Sequence, residues 1–161
     1  MNANDSTQAR GFDFLEGKWH VHNRKLKTRL AGSNEWTEFP ATLEFRKILN
    51  GLANIDQYRA AFDGEPFEGA SLRVFNPATE LWTIYWMDTH KPVLAEQVVV
   101  TFQDGRGEFF GEEEFNGRNV KLRFLWSETT TPRPRWEQAY FDEAKQEWET
   151  NWVMEFSKSK L

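Results

Sequence analysis

Residues 101–126 read TFQDGRGEFFGEEEFNGRNVKLRFLW, and this stretch decides the fold. Two turn pairs, Asp104-Gly105 and Asn116-Gly117, bracket one run of residues and lead into a second. Asp, Asn and Gly accept the positive φ that tight two-residue hairpin turns demand. After the second turn, Leu122, Phe124 and Trp126 alternate with Lys121 and Arg123. Successive side chains of a strand point to opposite faces, so this pattern predicts a strand with one apolar and one wet face. The stretch reads as consecutive antiparallel hairpins.

The same punctuation extends outward in both directions. Asn50-Gly51, Asp63-Gly64 and Asn76-Pro77 fall at nearly even spacing, and a break at Asp88 to Pro92 divides the one double-length gap. Ten strands are predicted: Lys18–Thr28, Ala41–Leu49, Ala53–Phe62, Ala70–Phe75, Leu81–Met87, Leu94–Phe102, Gly107–Phe115, Asn119–Glu128, Arg135–Phe141 and Glu147–Ser157. Short strands at this interval specify an all-β, up-and-down antiparallel meander that closes into a barrel. Residues Leu30 to Pro40 and Thr129 to Pro134 are predicted as loops, because proline cannot donate to a sheet ladder. The apolar rows are Trp19/Val21, Leu43/Phe45, Trp82/Ile84/Trp86, Val98/Val100/Phe102, Leu122/Phe124/Trp126 and Trp148/Trp152/Met154/Phe156.

Composition bounds the function. The 161 residues fit a single domain, residues 11–161, behind a polar tail at 1–10 that is expected to be disordered. Gly11 to Glu16 is expected to form a helical turn that plugs one barrel end. A net charge of −5 with both signs interspersed argues against nucleic acid and against an anionic membrane surface. Cysteine is absent, which removes disulfides, thiolate metal sites and thiol nucleophiles. No apolar leader or spanning run is present, so the expected compartment is the cytoplasm.

The opening Phe14-Leu15-Glu16-Gly17-Lys18-Trp19 resembles that of lipocalin-like (calycin-type) barrels, where a helical turn leads through Gly-x-Trp into the first strand. Leu72 to Trp86 and Arg135 to Met154 look like a family of uncharacterised bacterial proteins of this type. The resemblance implies a lipocalin-like fold and carries no activity. A more distant likeness is to nitrobindin, a haem-binding barrel with a similar Leu-x-Gly-x-Trp opening and an axial histidine late in the chain. Here His20, His22 and His90 all precede residue 91. No haem is therefore expected, and no other cofactor.

The remaining chemical candidates are few. His20-Val21-His22 is either a two-ligand metal pair or an exposed polar face; Trp19 and Val21 pointing inward would put both histidines in solvent. Glu113, in register with Phe109 and Phe115, is placed on the interior face, as a titrating acid–base group or as the partner of a buried Arg. Of Arg59, Arg73 and Arg123, Arg123 is expected outside and Arg73 has no settled face. Lone arginines in fatty-acid-binding barrels clamp a ligand carboxylate, so Arg73 is the candidate clamp. The glycines around Arg106 belong to hairpins and not to a phosphate loop.

The functional expectation is non-enzymatic binding of a small, mainly apolar or amphipathic molecule inside the barrel. The expected ligand-binding residues are Arg73, Trp82, Trp86, Glu113, Trp126, Trp136, Gln138 and Trp152. Two alternatives stand beside it. One is an enzyme using Glu113 in the same cavity; the other is a solidly packed barrel that acts as a homodimeric interaction module.

Overall fold

The computed structural model describes residues 6–94 and 98–160, the side chains of residues 98 and 99 excepted. Ten antiparallel strands form one closed barrel. They are β1 (Gly17–Leu26), β2 (Trp36–Ile48), β3 (Ala53–Phe62), β4 (Glu65–Asn76), β5 (Leu81–Asp88), β6 (Val98–Gln103), β7 (Arg106–Phe115), β8 (Arg118–Ser127), β9 (Arg135–Asp142) and β10 (Glu147–Lys158). Each strand pairs with its sequence neighbours, and β1 pairs with β10 from Trp19↔Lys158 to Lys25↔Trp152 to close the ring. Among the described residues no helix is long and apolar enough to cross a membrane.

The turn chemistry explains the meander. Asp63-Gly64, Asp104-Gly105 and Asn116-Gly117 all have positive φ at both positions, between 50° and 82°. That is the backbone of a type I′ hairpin, whose twist matches the strands it joins. Alternation then sorts the residues. Trp19, Val21 and Asn23 of β1 are buried while His20 and His22 are exposed. The rows Trp82/Ile84, Leu122/Phe124/Trp126 and Trp152/Met154/Phe156 face inward as the pattern predicts.

Several boundaries and one row differ from the sequence expectation. β2 begins at Trp36 and β4 at Glu65, five residues earlier in each case than predicted (Ala41 and Ala70). Pro40 and Pro66 are accommodated because each pairs on one side only, with His22 and with Ala61. There the missing N–H breaks no ladder bond. The predicted strand start at Leu94 partly lies outside the described residues; β6 is described from Val98.

The row that places Trp148 with Trp152 is incorrect. The register of β10 against β9 shifts between Thr150 and Trp152. Trp152 pairs with inward Gln138, whereas Trp148 pairs with outward Phe141. A bulge adds one residue and so moves every side chain before it to the other face. Trp148 instead joins Phe141 and the exposed Phe110 on the outer wall, with the Arg123 guanidinium 5.1 Å from its ring centroid.

One end of the barrel is plugged by residues 6–16, which include a 3-10 turn at Asp13–Leu15. Residues 6–10, assigned to the tail from their polarity, form turns on the barrel end. Apolar burial and Gln8 together explain this. The Gln8 amide donates to the Phe102 carbonyl at 2.6 Å and accepts from its N–H at 2.8 Å. The Gln8 backbone carbonyl accepts the Trp82 indole N–H at 2.7 Å. Phe12, 1% exposed, packs edge-on against Trp82 and Phe102, with ring centroids 5.2 and 4.8 Å apart. A Cβ at Gly11 would meet the Phe102 ring at 2.2 Å, so this plug position requires glycine. The Trp19 indole donates to the Leu15 carbonyl at 2.8 Å, tying the plug to β1.

Truncating Phe12 leaves a cavity where three aromatic rings meet. Phe12→Ala is expected to cost about 3–5 kcal/mol, the range for a buried Phe truncated to Ala. Urea unfolding would show this as a lower midpoint at unchanged slope. A loss under about 1 kcal/mol would mean that the plug is not part of the cooperative core.

Candidate ligand cavity

Above the plug the barrel encloses a cavity of about 1180 Å³. Its middle wall is aromatic: Trp86 from β5, Phe109 from β7, Phe124 and Trp126 from β8, Trp136 from β9 and Trp152 from β10. The rings pack against one another. Phe109 stacks on Phe124 at 4.9 Å, Phe124 on Trp136 at 5.8 Å, and Trp136 meets Trp152 edge-on at 5.7 Å. Exposed Asp63, Lys91, Glu112, Glu114 and Asn119 lie at the open end.

Glycine positions one of these rings. Gly69 of β4 carries no side chain where the Trp86 indole crosses it, and a Cβ there would lie 2.1 Å from the ring. The Trp86 N–H then reaches the Asp88 carboxylate at 2.8 Å. The Trp152 N–H donates to the Asn23 amide oxygen at 3.0 Å, and the Tyr58 hydroxyl donates to the same oxygen at 2.8 Å. Burial pushes the Tyr58 phenol well above its ordinary range. Gln138 donates to Asn151 at 2.9 Å. The indole and amide dipoles are therefore held by the wall, which fixes the aromatic surface in place.

The closed end of the cavity is polar. Arg73 and Asp56, 5% and 2% exposed, form an ion pair with Nη2 and Oδ2 2.6 Å apart. Arg73 Nη1 donates to Asn54 Oδ1 at 3.0 Å, and Asp56 Oδ1 accepts the Ser71 N–H at 3.1 Å. The guanidinium rests 4.8 Å from the Phe12 ring centroid, directly on the plug. Pairing of this kind is what permits two charges to sit out of water. The charge of Arg73, the candidate carboxylate clamp, is met within the wall by Asp56.

The open end holds a second cluster. Arg29 donates to the Tyr140 hydroxyl at 2.6 Å, and that hydroxyl donates to Glu113 through a short contact. Lys25 lies over the Trp152 and Phe62 rings at 4.4 and 5.2 Å. Glu113 is open to the mouth, yet the surrounding wall is enough to change its titration. Desolvation raises its carboxyl above the usual range, against the opposing pull of Arg29, Lys25 and Lys91. Burial lowers Lys25 and Arg29, with their mutual repulsion adding to the effect on Lys25.

Seven of the eight expected residues thus fall in three places along the cavity. Trp86, Trp126, Trp136, Trp152 and Gln138 line the middle chamber, Arg73 the closed end and Glu113 the mouth. Trp82 does not line the cavity; it is 1% exposed and packs on the plug. Arg59 pairs with Glu68 on the outer wall at 3.5 Å. The residues missed from sequence are Asn54, Asp56, Lys25, Arg29 and Tyr140. Lys25 and Asn23 continue the Trp19/Val21 row at period two, and that signal was available.

The three histidines are spread over the outer wall and the rim of the barrel. β9 and β10 contain none, and His20 and His22 are on the outer wall, His22 3.2 Å from Glu38. His90 lines the rim with its ring 5.2 Å from Phe67. Among the described residues no three metal-ligating side chains cluster.

Comparison with known proteins defines the fold class. No family model and no curated protein matches the chain. The S-type phycobiliprotein lyase CPES from Guillardia theta superposes with a TM-score of 0.65 at 9% identity, over 99% of this chain and 96% of that one. Rv2717c from M. tuberculosis gives 0.59 at 11% identity, over 96% and 99%. The protein is thus similar in fold to these calycin-like barrels along essentially its whole described length.

The raised Glu113 titration has a defined sign. A carboxyl whose folded pKa exceeds its unfolded one favours folding below the ordinary carboxylate range, and that contribution is lost as pH rises through the folded value. The wild type is expected to lose stability relative to Glu113→Gln as pH climbs from about 4 to about 8. Paired urea midpoints across that range would show it; a difference that is flat or grows in favour of the wild type would contradict it.

Proposed function

We propose that this barrel is a non-enzymatic binder of one small, amphipathic molecule with a large flat or polycyclic apolar body. The observation that carries this reading is the aromatic-walled cavity of about 1180 Å³. Ligand pockets are typically about 300–1,000 Å³, mostly apolar, with a few placed polar groups. This one has an apolar waist between two polar ends. The solidly packed alternative does not fit such a volume.

A second reading rests on the Arg29–Tyr140–Glu113 chain. A carboxyl whose pKa is raised by burial, beside a phenol and a cation, is a suitable acid–base group. It differs from plain binding in one respect: a bound compound would be turned over by the wild type and merely retained by Glu113→Gln.

The direct experiment is native mass spectrometry of protein purified from its own host, which reads a co-purifying mass. In vitro, a pyrene probe such as 1-pyrenebutanol should quench tryptophan emission saturably at one-to-one stoichiometry. Trp152→Ala is expected to weaken that binding by about tenfold, the loss of one stacked ring and its buried area. No saturable binding of any apolar probe, together with no co-purifying mass, would overturn the proposal.

A further inference from the structure

The geometry points to the closed end of the cavity as a recognition site for a neutral ligand head group, a hydroxyl or primary amide, and against a carboxylate. The inference rests on the ligand-binding reading above and adds the chemistry of the buried end of the ligand.

Charge balance is the first argument. Asp56 and Arg73 are both more than nine-tenths buried and neutralise each other at 2.6 Å. One guanidinium cannot serve two carboxylates in so dry a place. An incoming carboxylate would bring a second negative charge beside Asp56, and an uncompensated buried charge is strongly unfavourable.

Unfinished hydrogen bonding is the second. Arg73 Nη1 and Nη2 are taken by Asn54 and Asp56, but the buried Nε–H has no acceptor among the described residues. Asp56 Oδ2 meets Arg73 as an ion pair without an aligned hydrogen bond. A buried donor without a partner is costly and is rare in folded proteins. Neither atom has open surface of its own, so only a small polar group that shifts the two side chains slightly can reach them. A hydroxyl or amide accepts from Nε–H and donates to the carboxylate, so it completes both without adding charge.

Location is the third. Asp56, Ser71 and Arg73 line the same cavity as the aromatic waist, and the guanidinium is backed by the Phe12 ring of the plug. A ligand that enters from the mouth and fills the waist brings its leading end to this pair.

Three probes of one size test the inference: 1-pyrenebutanol, 1-pyrenebutyrate and 1-butylpyrene, added to the full-length protein. Affinity is read by tryptophan quenching. Contact is read in a ¹⁵N–¹H spectrum of the arginine Nε–H groups, where a buried Nε–H is protected from exchange. The Arg73 signal is assigned by its loss in Arg73→Lys, or by its proximity to the Phe12 ring protons should that variant not fold. The alcohol is expected to bind at least tenfold more tightly than the hydrocarbon and to shift the Arg73 Nε–H signal, with no such shift for the carboxylate. Alcohol binding that leaves Arg73 Nε–H unmoved would overturn the inference while leaving cavity binding intact. So would a carboxylate that shifts Arg73 and binds as tightly as the alcohol. Failure of all three to bind would remove the binding reading itself.

Discussion

Closure of the sheet on itself is the constraint from which the rest of the structure follows. The β1–β10 ladder leaves no free edge at the chain ends and fixes an inside and an outside for all ten strands. Alternation then has a single consequence everywhere: one residue in two must face a space with no bulk water. Aromatic side chains line much of that space without needing charge, and the indole N–H groups of Trp19, Trp82, Trp86 and Trp152 are answered locally by backbone carbonyls, Asp88 and Asn23. The interior polar groups are correspondingly few and highly paired. An unpaired charge would cost several kcal/mol in such surroundings.

The two polar ends differ in character for the same reason. At the plug, Asp56 and Arg73 are so deeply buried that they exist only as a pair. At the mouth, Lys25, Arg29 and Glu113 are only partly withdrawn from water and are perturbed by the wall, while the Tyr140 hydroxyl that links Arg29 to Glu113 is buried.

Much of the fold was legible because its determinants are local. A pair such as Asn116-Gly117 fixes its own backbone, and Leu122, Phe124 and Trp126 declare their face by period alone. What was illegible depends on cross-strand relations. Nothing in Thr150-Asn151-Trp152 announces the register shift that turns Trp148 outward. Arg73 had no settled face until Asp56, 17 positions earlier in the chain, appeared as its neighbour across the β3–β4 ladder. Pro40 and Pro66 looked like loop residues because one-sided pairing cannot be read from a single strand. The waist of the candidate site was visible as tryptophans; its two polar ends were not, because each is assembled from different strands.

The Gln8 contacts bear on how the chain reaches this state. Gln8 binds Phe102 across 94 positions and Trp82 across 74, and β1 meets β10 near the opposite chain end. Hairpins such as β7–β8 close loops of a few residues, whereas the Gln8 contacts close about half the chain and the β1–β10 seam nearly all of it, with a correspondingly larger loop-closure entropy. A nascent or partly folded molecule can hold most of its sheet while still lacking both floor and final seam. The cavity does not exist in such a form; it is complete only once floor and seam are both in place. A compound bound there draws the population toward the closed chain by mass action, which makes the guest a contributor to the maturation of its own container.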